Sequence, residues 1–294
     1  MKLNFFYAYL KERFPFINMG LFAILFLTVF FVSSDTYESD KPFGLQELFG
    51  VTAVISFFFR LRVFDEIKDY QIDIHNHPHR ILQSGKIQLK SLIVISVIGV
   101  FLEVFWSFWM NISALFCWLL AFSYTLLMRY EFFVPVFLKK HLLLYAITHL
   151  LVMPFIILWV WSAYAPVEAN QSLILLALLS MLGGFAFEIA RKIHSSAAER
   201  PTVDSYSKSL GYSISIMSVL LILLINLLVQ YRLLFLLTPA WWSYLLIGLL
   251  FVFITIQYIQ ALLKPEEMQL RKIEKFVSLS MLLSFVLVIL EVNF

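Results

Sequence analysis

Long apolar stretches recur along this chain from its first span to its last, and they limit what it can fold into. Each stretch is about 18 to 25 residues long, which as a helix is enough to cross a hydrocarbon core of roughly 30 Å. Only 14% of the 294 residues are charged, whereas a soluble domain carries about 25% charge. The sequence therefore predicts an all-α, polytopic membrane protein.

The apolar stretches predict nine membrane spans within one domain that covers residues 1–294. The predicted spans are 15–34, 43–63, 89–107, 110–128, 136–161, 171–191, 209–230, 237–262 and 273–292. The second and sixth spans are four spans apart, and each ends in a charged segment. This organisation suggests a weak internal repeat with halves at 1–130 and 131–262, followed by a final helix at 273–292.

Basic side chains fall almost entirely in alternate gaps between the predicted spans. Of the 22 Lys and Arg residues, only Lys41 and Arg232 lie outside these gaps and their flanks. Cytoplasmic loops of membrane proteins are enriched in Lys and Arg. We therefore expect the N-terminus and the charged gaps in the cytoplasm and the C-terminus outside. The net charge of +3 gives no reason to expect a nucleic-acid partner.

A row of acidic residues follows the second predicted span. Asp65, Asp69 and Asp73 are spaced i, i+4, i+8, so a helix places them along one face with a rise of about 6 Å per step. Mg²⁺ prefers carboxylate oxygens and often bridges them to substrate phosphates. Basic residues flank the row, for example Lys68 and Arg80, and this combination suits a metal–diphosphate ester. The alternative is an ordinary solvated helix end.

The sixth predicted span ends in a second polar segment, where Glu188 and Lys192 are four residues apart. They either bind a ligand or form an ordinary helix salt bridge. Two more ionisable residues lie inside predicted spans, where charge is costly. We expect Glu103 to form a structural hydrogen bond or to contact an acceptor substrate, and His149 to be a satisfied core group.

The segment from Asp65 to Asp73, Asp-Glu-Ile-Lys-Asp-Tyr-Gln-Ile-Asp, resembles the first aspartate-rich motif of the UbiA superfamily of intramembrane prenyltransferases. That motif reads N-D-x-x-D-x-x-x-D, so Asp65 stands at the Asn position. Residues 80–85 are similar to the R-P-L-P-S-G that follows it, with both prolines replaced. Residues 124–129 are similar to Y-P-x-x-K-R, and residues 188–192 to the second motif D-x-x-x-D, with Lys192 at the last Asp position.

The resemblance implies a ring of about nine helices around a central cavity, in which Mg²⁺ (or Mn²⁺) binds a polyprenyl diphosphate. These membrane enzymes join the prenyl group to an aromatic or other lipophilic acceptor. It implies catalytic and metal-binding roles for Asp65, Asp69 and Asp73, and a metal ligand at Glu188. The expected diphosphate contacts are Lys68, Arg80, Tyr124, Arg129 and Lys192.

Two other functions stay open. The first is a membrane terpene cyclase that acts on the diphosphate alone, which the altered second motif and the 31 Phe, 13 Tyr and 7 Trp also allow. The second is a transporter or lipid-binding membrane protein without enzymatic activity. Scarce ionisable residues within the spans argue against the second, because transport pathways usually contain them.

Overall fold

The computed structural model describes residues 3–37, 42–199, 204–237 and 240–293. In these ranges the regular structure is entirely helical. The helices are α1 (Leu3–Arg13), α2 (Phe16–Thr36), α3 (Leu45–Asn76), α4 (Leu89–Met110), α5 (Ile112–Arg129), α6 (Pro135–Lys140), α7 (Leu142–Leu150), α8 (Val152–Ser162), α9 (Gln171–Arg191), α10 (Tyr206–Ser209), α11 (Tyr212–Leu236), α12 (Trp241–Leu263) and α13 (Glu267–Asn293). A 3₁₀ helix at Glu131–Phe133 precedes α6.

Eight helical segments in the described ranges are long and apolar enough to cross a membrane. They are α2, α4, α5, the combined segment Leu142–Ser162, α9, α11, α12 and α13. The predicted all-α membrane fold is confirmed, and the predicted count of about nine is close. The remaining predicted span, 43–63, lies in α3, which packs along α2 and α4 but carries three charged residues in its apolar part, Glu47, Arg60 and Arg62.

Two predicted spans differ from the helices observed. The second predicted span ends at 63, but α3 continues to Asn76, so the acidic row is helical, as its spacing predicts. The fifth predicted span starts at 136, but its long helical segment begins only at Leu142 and is interrupted at Leu151. Pro154 explains the interruption, because it lacks the amide that would bond to Leu150 and its ring crowds that carbonyl.

Buried aromatic rings fill the half of the bundle farthest from the acidic row. The rings of Trp106 and Trp159 meet edge to face with centroids 5.5 Å apart, and Phe57 lies 5.4 Å from Trp159. The Trp159 indole donates a 2.8 Å hydrogen bond to the Ser107 hydroxyl, and the Trp106 indole donates to the Gln46 carbonyl. Aromatic side chains therefore pack this half of the bundle interior, and the cavity described below lies nearer the charged end.

A buried ion pair joins α3 to α4 and α5. Arg60 Nη2 lies 2.9 Å from Glu103 Oε2, and the Trp118 indole donates to the same carboxylate oxygen at 2.9 Å. Arg60 also donates to the Thr125 hydroxyl at 2.7 Å, and its guanidinium lies 4.4 Å from the ring centroid of Phe57. Of the two roles expected for Glu103, these contacts support the structural hydrogen bond.

Removing one member of this pair leaves an uncompensated charge inside the bundle. We expect Glu103→Leu to lower the free energy of unfolding by about 3–5 kcal/mol. The double variant Arg60→Met with Glu103→Leu should lose less, because neither charge remains. Unfolding in detergent micelles measures both, with Arg232→Ala, an exposed side chain on α11, as the control. A double variant at least as unstable as the single variant contradicts this account.

The charged segments gather at one end of the bundle. Arg13 of α1 pairs with Glu66 of α3 at 2.7 Å, and His194, after α9, bonds to Glu267 at the start of α13 at 2.9 Å. Arg232 lies near the opposite end of α11, and Lys41 lies outside the described residues. This grouping agrees with the predicted basic gaps, while their cytoplasmic orientation stays a prediction.

Cysteine labelling tests that orientation. We expect cysteines at the exposed positions Ser84 and Ser196 to react with an impermeant maleimide only from the cytoplasmic side, in a Cys117→Ala background. A cysteine at Ala169, exposed before the start of α9, should react only from the outside. Labelling of the first two positions from the outside alone overturns the predicted topology.

Candidate active site

A cavity of about 470 Å³ lies between the ends of α3, α5, α7 and α9. The described residues of its wall include five basic side chains, Arg62, Lys68, Arg129, Arg191 and Lys192, and three acidic ones, Asp65, Asp69 and Glu188. The rest is largely apolar, with Phe58, Leu61, Phe64, Met128, Leu150, Val152 and Met153. Such a wall fits an amphiphilic ligand with an anionic head.

Asp65 and Asp69 are the two members of the acidic row that line the cavity. Asp65 is half exposed and only loosely paired, with Lys68 at 3.7 Å and Arg62 at 3.8 Å. Burial raises the pKa of Asp69, and the carboxylates of Asp65 and Asp73 raise it further, while Lys68 lowers it. These carboxylates would therefore gain from a cation placed beside them.

The oxygen ligands that the cavity offers match one of the binding modes of Mg²⁺. Among the described residues, no three carboxylate, His or Cys side chains are close enough to hold a metal ion. Mg²⁺ commonly binds through one or two carboxylates and completes its shell with water and substrate phosphate. Asp65 and Asp69 fit that mode, because both present hard oxygen donors to the cavity.

Asp73 and Arg80 lie away from the cavity, although the sequence predicted a metal ligand at Asp73 and a diphosphate contact at Arg80. They pair with each other at 2.7 Å, and Arg13 of α1 lies 3.8 Å from the same Asp73 oxygen. Neither is among the described residues that line the cavity. Two turns beyond Asp65, Asp73 lies past the mouth and ties the end of α3 to α1 and to the loop after α3.

Lys68 reaches the cavity from α3 and is held there by three groups. Its ammonium donates to the Tyr145 hydroxyl at 2.7 Å and lies 3.7 Å from Asp65 and 3.8 Å from Glu131. Glu131 is buried and begins a turn of three residues with φ of 48°, 52° and 60°. This left-handed backbone is costly for residues other than glycine, and here it holds Glu131 beside Lys68.

Arg129 lines the cavity and Tyr124 does not. The Arg129 guanidinium lies 5.1 Å from the ring centroid of Phe64, and no described carboxylate pairs with it, so its hydrogen-bond donors are available to an anion. Tyr124, by contrast, donates its hydroxyl to the Thr148 carbonyl at 2.6 Å and packs against Phe155. It joins α5 to the α7–α8 segment.

The polar end of α9 faces the acidic pair across the same cavity. Glu188 Oε1 lies 2.7 Å from the Lys192 ammonium, and Glu188 Oε2 accepts a 2.6 Å hydrogen bond from Arg191 Nε. The salt bridge expected at i, i+4 is therefore present, and Lys192 still lines the cavity. Arg271 of α13 donates to the carbonyls of Arg191 and Ile193 and so fixes this helix end.

Sequence reasoning missed Glu131 and Tyr145 as parts of the site. Tyr145 and His149, one turn apart on α7, both line the cavity, so His149 is not the core group that we expected. The signal available in the sequence was a pair of polar aromatic residues at i, i+4 on an otherwise apolar helix. No local sequence pattern marks Glu131 as a site residue, because its position beside Lys68 depends on the left-handed turn at Glu131–Phe133.

Comparisons with known proteins agree with this architecture. The structure of a digeranylgeranylglyceryl phosphate synthase in membranes is 19% identical, covers 99% of both chains and superposes with a TM-score of 0.69. The apo structure of a UbiA homologue from Aeropyrum pernix K1 is 14% identical, covers 90% of this chain and 96% of that one, and has a TM-score of 0.63. Identities this low show the shared fold alone. No curated protein sequence matches significantly.

The sequence itself matches the family model of the UbiA prenyltransferase family over residues 24–286. That match covers most of the chain and includes the ends of α3, α5 and α9 that form the cavity. The chain therefore belongs to the UbiA prenyltransferase family.

Proposed function

We propose that this protein transfers a prenyl group within the membrane, from a polyprenyl diphosphate to an aromatic or other lipophilic acceptor, in a Mg²⁺-dependent reaction. One observation carries the proposal: the acidic pair on α3 and the basic end of α9 line the same cavity, whose wall combines charged and apolar side chains. A prenyl diphosphate has the same two parts, an anionic head and an apolar chain.

The charge balance of the wall supports diphosphate binding. Five basic side chains outnumber three acidic ones, and charge-assisted hydrogen bonds from Arg and Lys to phosphate are among the stronger ones in proteins. Arg129, Lys68 and Lys192 would contact the diphosphate, and Lys192 would do so as a fixed cation. Mg²⁺ held by Asp65 and Asp69 would neutralise the departing diphosphate. Glu188 would contribute mainly by positioning Lys192, because two cations already neutralise it.

The apolar and aromatic residues of the cavity wall support the proposal that a prenyl group is transferred there. When the diphosphate leaves, the first prenyl carbon gains positive charge, which water would quench. Phe58, Phe64 and Tyr145 line the cavity, and aromatic ring faces attract cations. The packed rings of Trp106 and Trp159 would limit the access of water to the cavity from the far half of the bundle. These rings would stabilise the developing cation and leave a lipophilic acceptor to capture it.

Product analysis tests the proposal. Membranes that contain the protein are given geranylgeranyl diphosphate, shorter prenyl diphosphates and candidate acceptors. The acceptors are 4-hydroxybenzoate and, by chemical analogy with the product named for the synthase of similar fold, geranylgeranylglyceryl phosphate. Mass spectrometry should find a prenylated acceptor. A hydrocarbon or alcohol made from the diphosphate alone indicates the cyclase instead, and no diphosphate consumption indicates a non-enzymatic role.

Asp69→Asn tests whether the Asp69 carboxylate binds the metal ion or only belongs to a solvated helix end. We expect it to lower the rate of transfer about 10²-fold or more and to raise the Mg²⁺ concentration required. Asp73→Asn is the matched comparison, because that carboxylate pairs with Arg80; it should reduce thermal stability more than it reduces transfer. Equal losses of transfer in both variants, or full wild-type turnover in excess EDTA, contradict the proposal.

Lys192→Ala tests the fixed cation. Loss of a charged partner from a desolvated contact costs about 2–5 kcal/mol, and we expect the lower end, because the Lys192 side chain is 27% exposed. The KM for the prenyl diphosphate should rise accordingly. Lys192→Asp should be worse at low Mg²⁺ and recover partly at high Mg²⁺, because it exchanges a cation for a metal ligand.

The control for Lys192 is Lys264→Ala, an exposed lysine after α12 that does not line the cavity. It should leave the KM unchanged. An unchanged KM and Mg²⁺ dependence in Lys192→Ala as well would mean that Lys192 only pairs with Glu188, a surface interaction worth about 0.2–1 kcal/mol.

A further inference from the structure

His149 presents a defined tautomer at the cavity wall. Its Nδ1 lies 2.9 Å from the backbone carbonyl of Tyr145. A carbonyl oxygen only accepts hydrogen bonds, so Nδ1 carries the ring proton. The other ring nitrogen, Nε2, therefore has a free lone pair and acts as a hydrogen-bond acceptor.

Nothing in the described part of the chain satisfies Nε2. This atom is shielded from solvent, and no described residue donates a hydrogen bond to it. The ring is held in place, since it stacks on the Tyr145 ring with centroids 4.0 Å apart and meets Phe132 edge to face. A buried acceptor without a donor costs free energy, and its position in the wall of a substrate cavity indicates a ligand that supplies the donor.

The position of His149 along the cavity selects the part of the ligand that it meets. The carboxylates of Asp65 and Asp69 line the charged side, where the diphosphate is proposed to bind. His149 lies where the charged and apolar parts of the wall meet: its ring stacks on Tyr145, whose hydroxyl accepts a hydrogen bond from Lys68, and Leu150, Val152 and Met153 of the following segment also line the cavity. A group that lies beside these residues belongs to the lipophilic acceptor or to the reacting end of the prenyl chain.

The proposed transfer releases a proton that must have a destination. A bond forms between the first prenyl carbon and a hydroxyl oxygen or aromatic carbon of the acceptor, while the bond from that carbon to the diphosphate oxygen breaks. The electron pair of the broken bond leaves with the diphosphate. The acceptor atom that attacks still carries its hydrogen, and the product becomes neutral only when that proton departs.

We propose that Nε2 of His149 accepts this proton, which makes His149 a catalytic residue of the transfer reaction; this inference rests on the proposed function. The resulting imidazolium keeps its Nδ1 hydrogen bond to the Tyr145 carbonyl. The carboxylates nearby have other roles: Asp65 and Asp69 are proposed to hold Mg²⁺, Glu188 is paired with Lys192, and Glu131 lies near Lys68 and Lys139.

Chemical rescue tests this role. The full-length protein in lipid vesicles is given geranylgeranyl diphosphate with 4-hydroxybenzoate or geranylgeranylglyceryl phosphate. His149→Ala should reduce kcat for transfer about 10²-fold or more. It should leave the KM for the diphosphate within about threefold of wild type, because the base acts in the transfer step and not in diphosphate binding. Added imidazole should restore at least a tenth of the lost rate, because a free base can enter the space of the removed ring.

Matched variants separate the possible outcomes. His141→Ala is the control: His141 also has Nδ1 2.9 Å from a backbone carbonyl, but it is exposed and does not line the cavity, so transfer should stay at the wild-type rate. Binding of geranylgeranyl thiodiphosphate, an unreactive analogue, shows that His149→Ala is folded, and His149→Gln replaces it if His149→Ala does not bind. Imidazole should not rescue Asp69→Asn.

Wild-type kcat in His149→Ala overturns the inference, and so does a folded variant that loses transfer but gains nothing from imidazole. Either result leaves the proposed function standing, provided that Asp69→Asn is inactive. If the wild-type protein transfers to neither acceptor, or if Asp69→Asn keeps full activity, the proposed function fails and the inference fails with it.

Discussion

The hydrocarbon core of a bilayer penalises every charged side chain placed within it, and this penalty organises the whole molecule. Within the described residues, the deep charges Arg60 and Glu103 pair with each other and lie against the aromatic rings of Phe57 and Trp118. The charged side chains that line the cavity meet at one end of the bundle, where α3, α5, α7 and α9 surround it. The apolar bundle thus acts as a scaffold that brings the acidic and basic side chains of the cavity together at this end.

The cavity residues are held before any ligand arrives. Lys68 is bonded to Tyr145, Lys192 to Glu188, and the end of α9 to Arg271. Arg129 has no described carboxylate partner and lies against Phe64. Groups fixed in this way lose little conformational freedom when they meet an anion, which is the condition under which electrostatic stabilisation of a leaving group is most effective.

Local patterns predicted the fold and about half of the site. Apolar length located the spans, and the i, i+4 spacing placed Asp65 and Asp69 on one helix face, because both properties depend only on neighbouring residues. The places of Asp73, Tyr124 and Glu131 depend on distant partners or on a left-handed turn, which spacing does not record. Pro154 indicates the break between α7 and α8. The internal repeat and the orientation in the membrane stay predictions.

The central claim is that this cavity binds a metal–diphosphate ester between α3 and α9. The most direct measurement is an anomalous difference map from crystals grown with geranylgeranyl thiodiphosphate and Mn²⁺, which substitutes for Mg²⁺ and scatters anomalously. The account predicts a manganese peak beside Asp65 and Asp69, with the diphosphate between it and Arg129 and Lys192. A diphosphate bound outside this cavity, or manganese bound to other side chains alone, would contradict it.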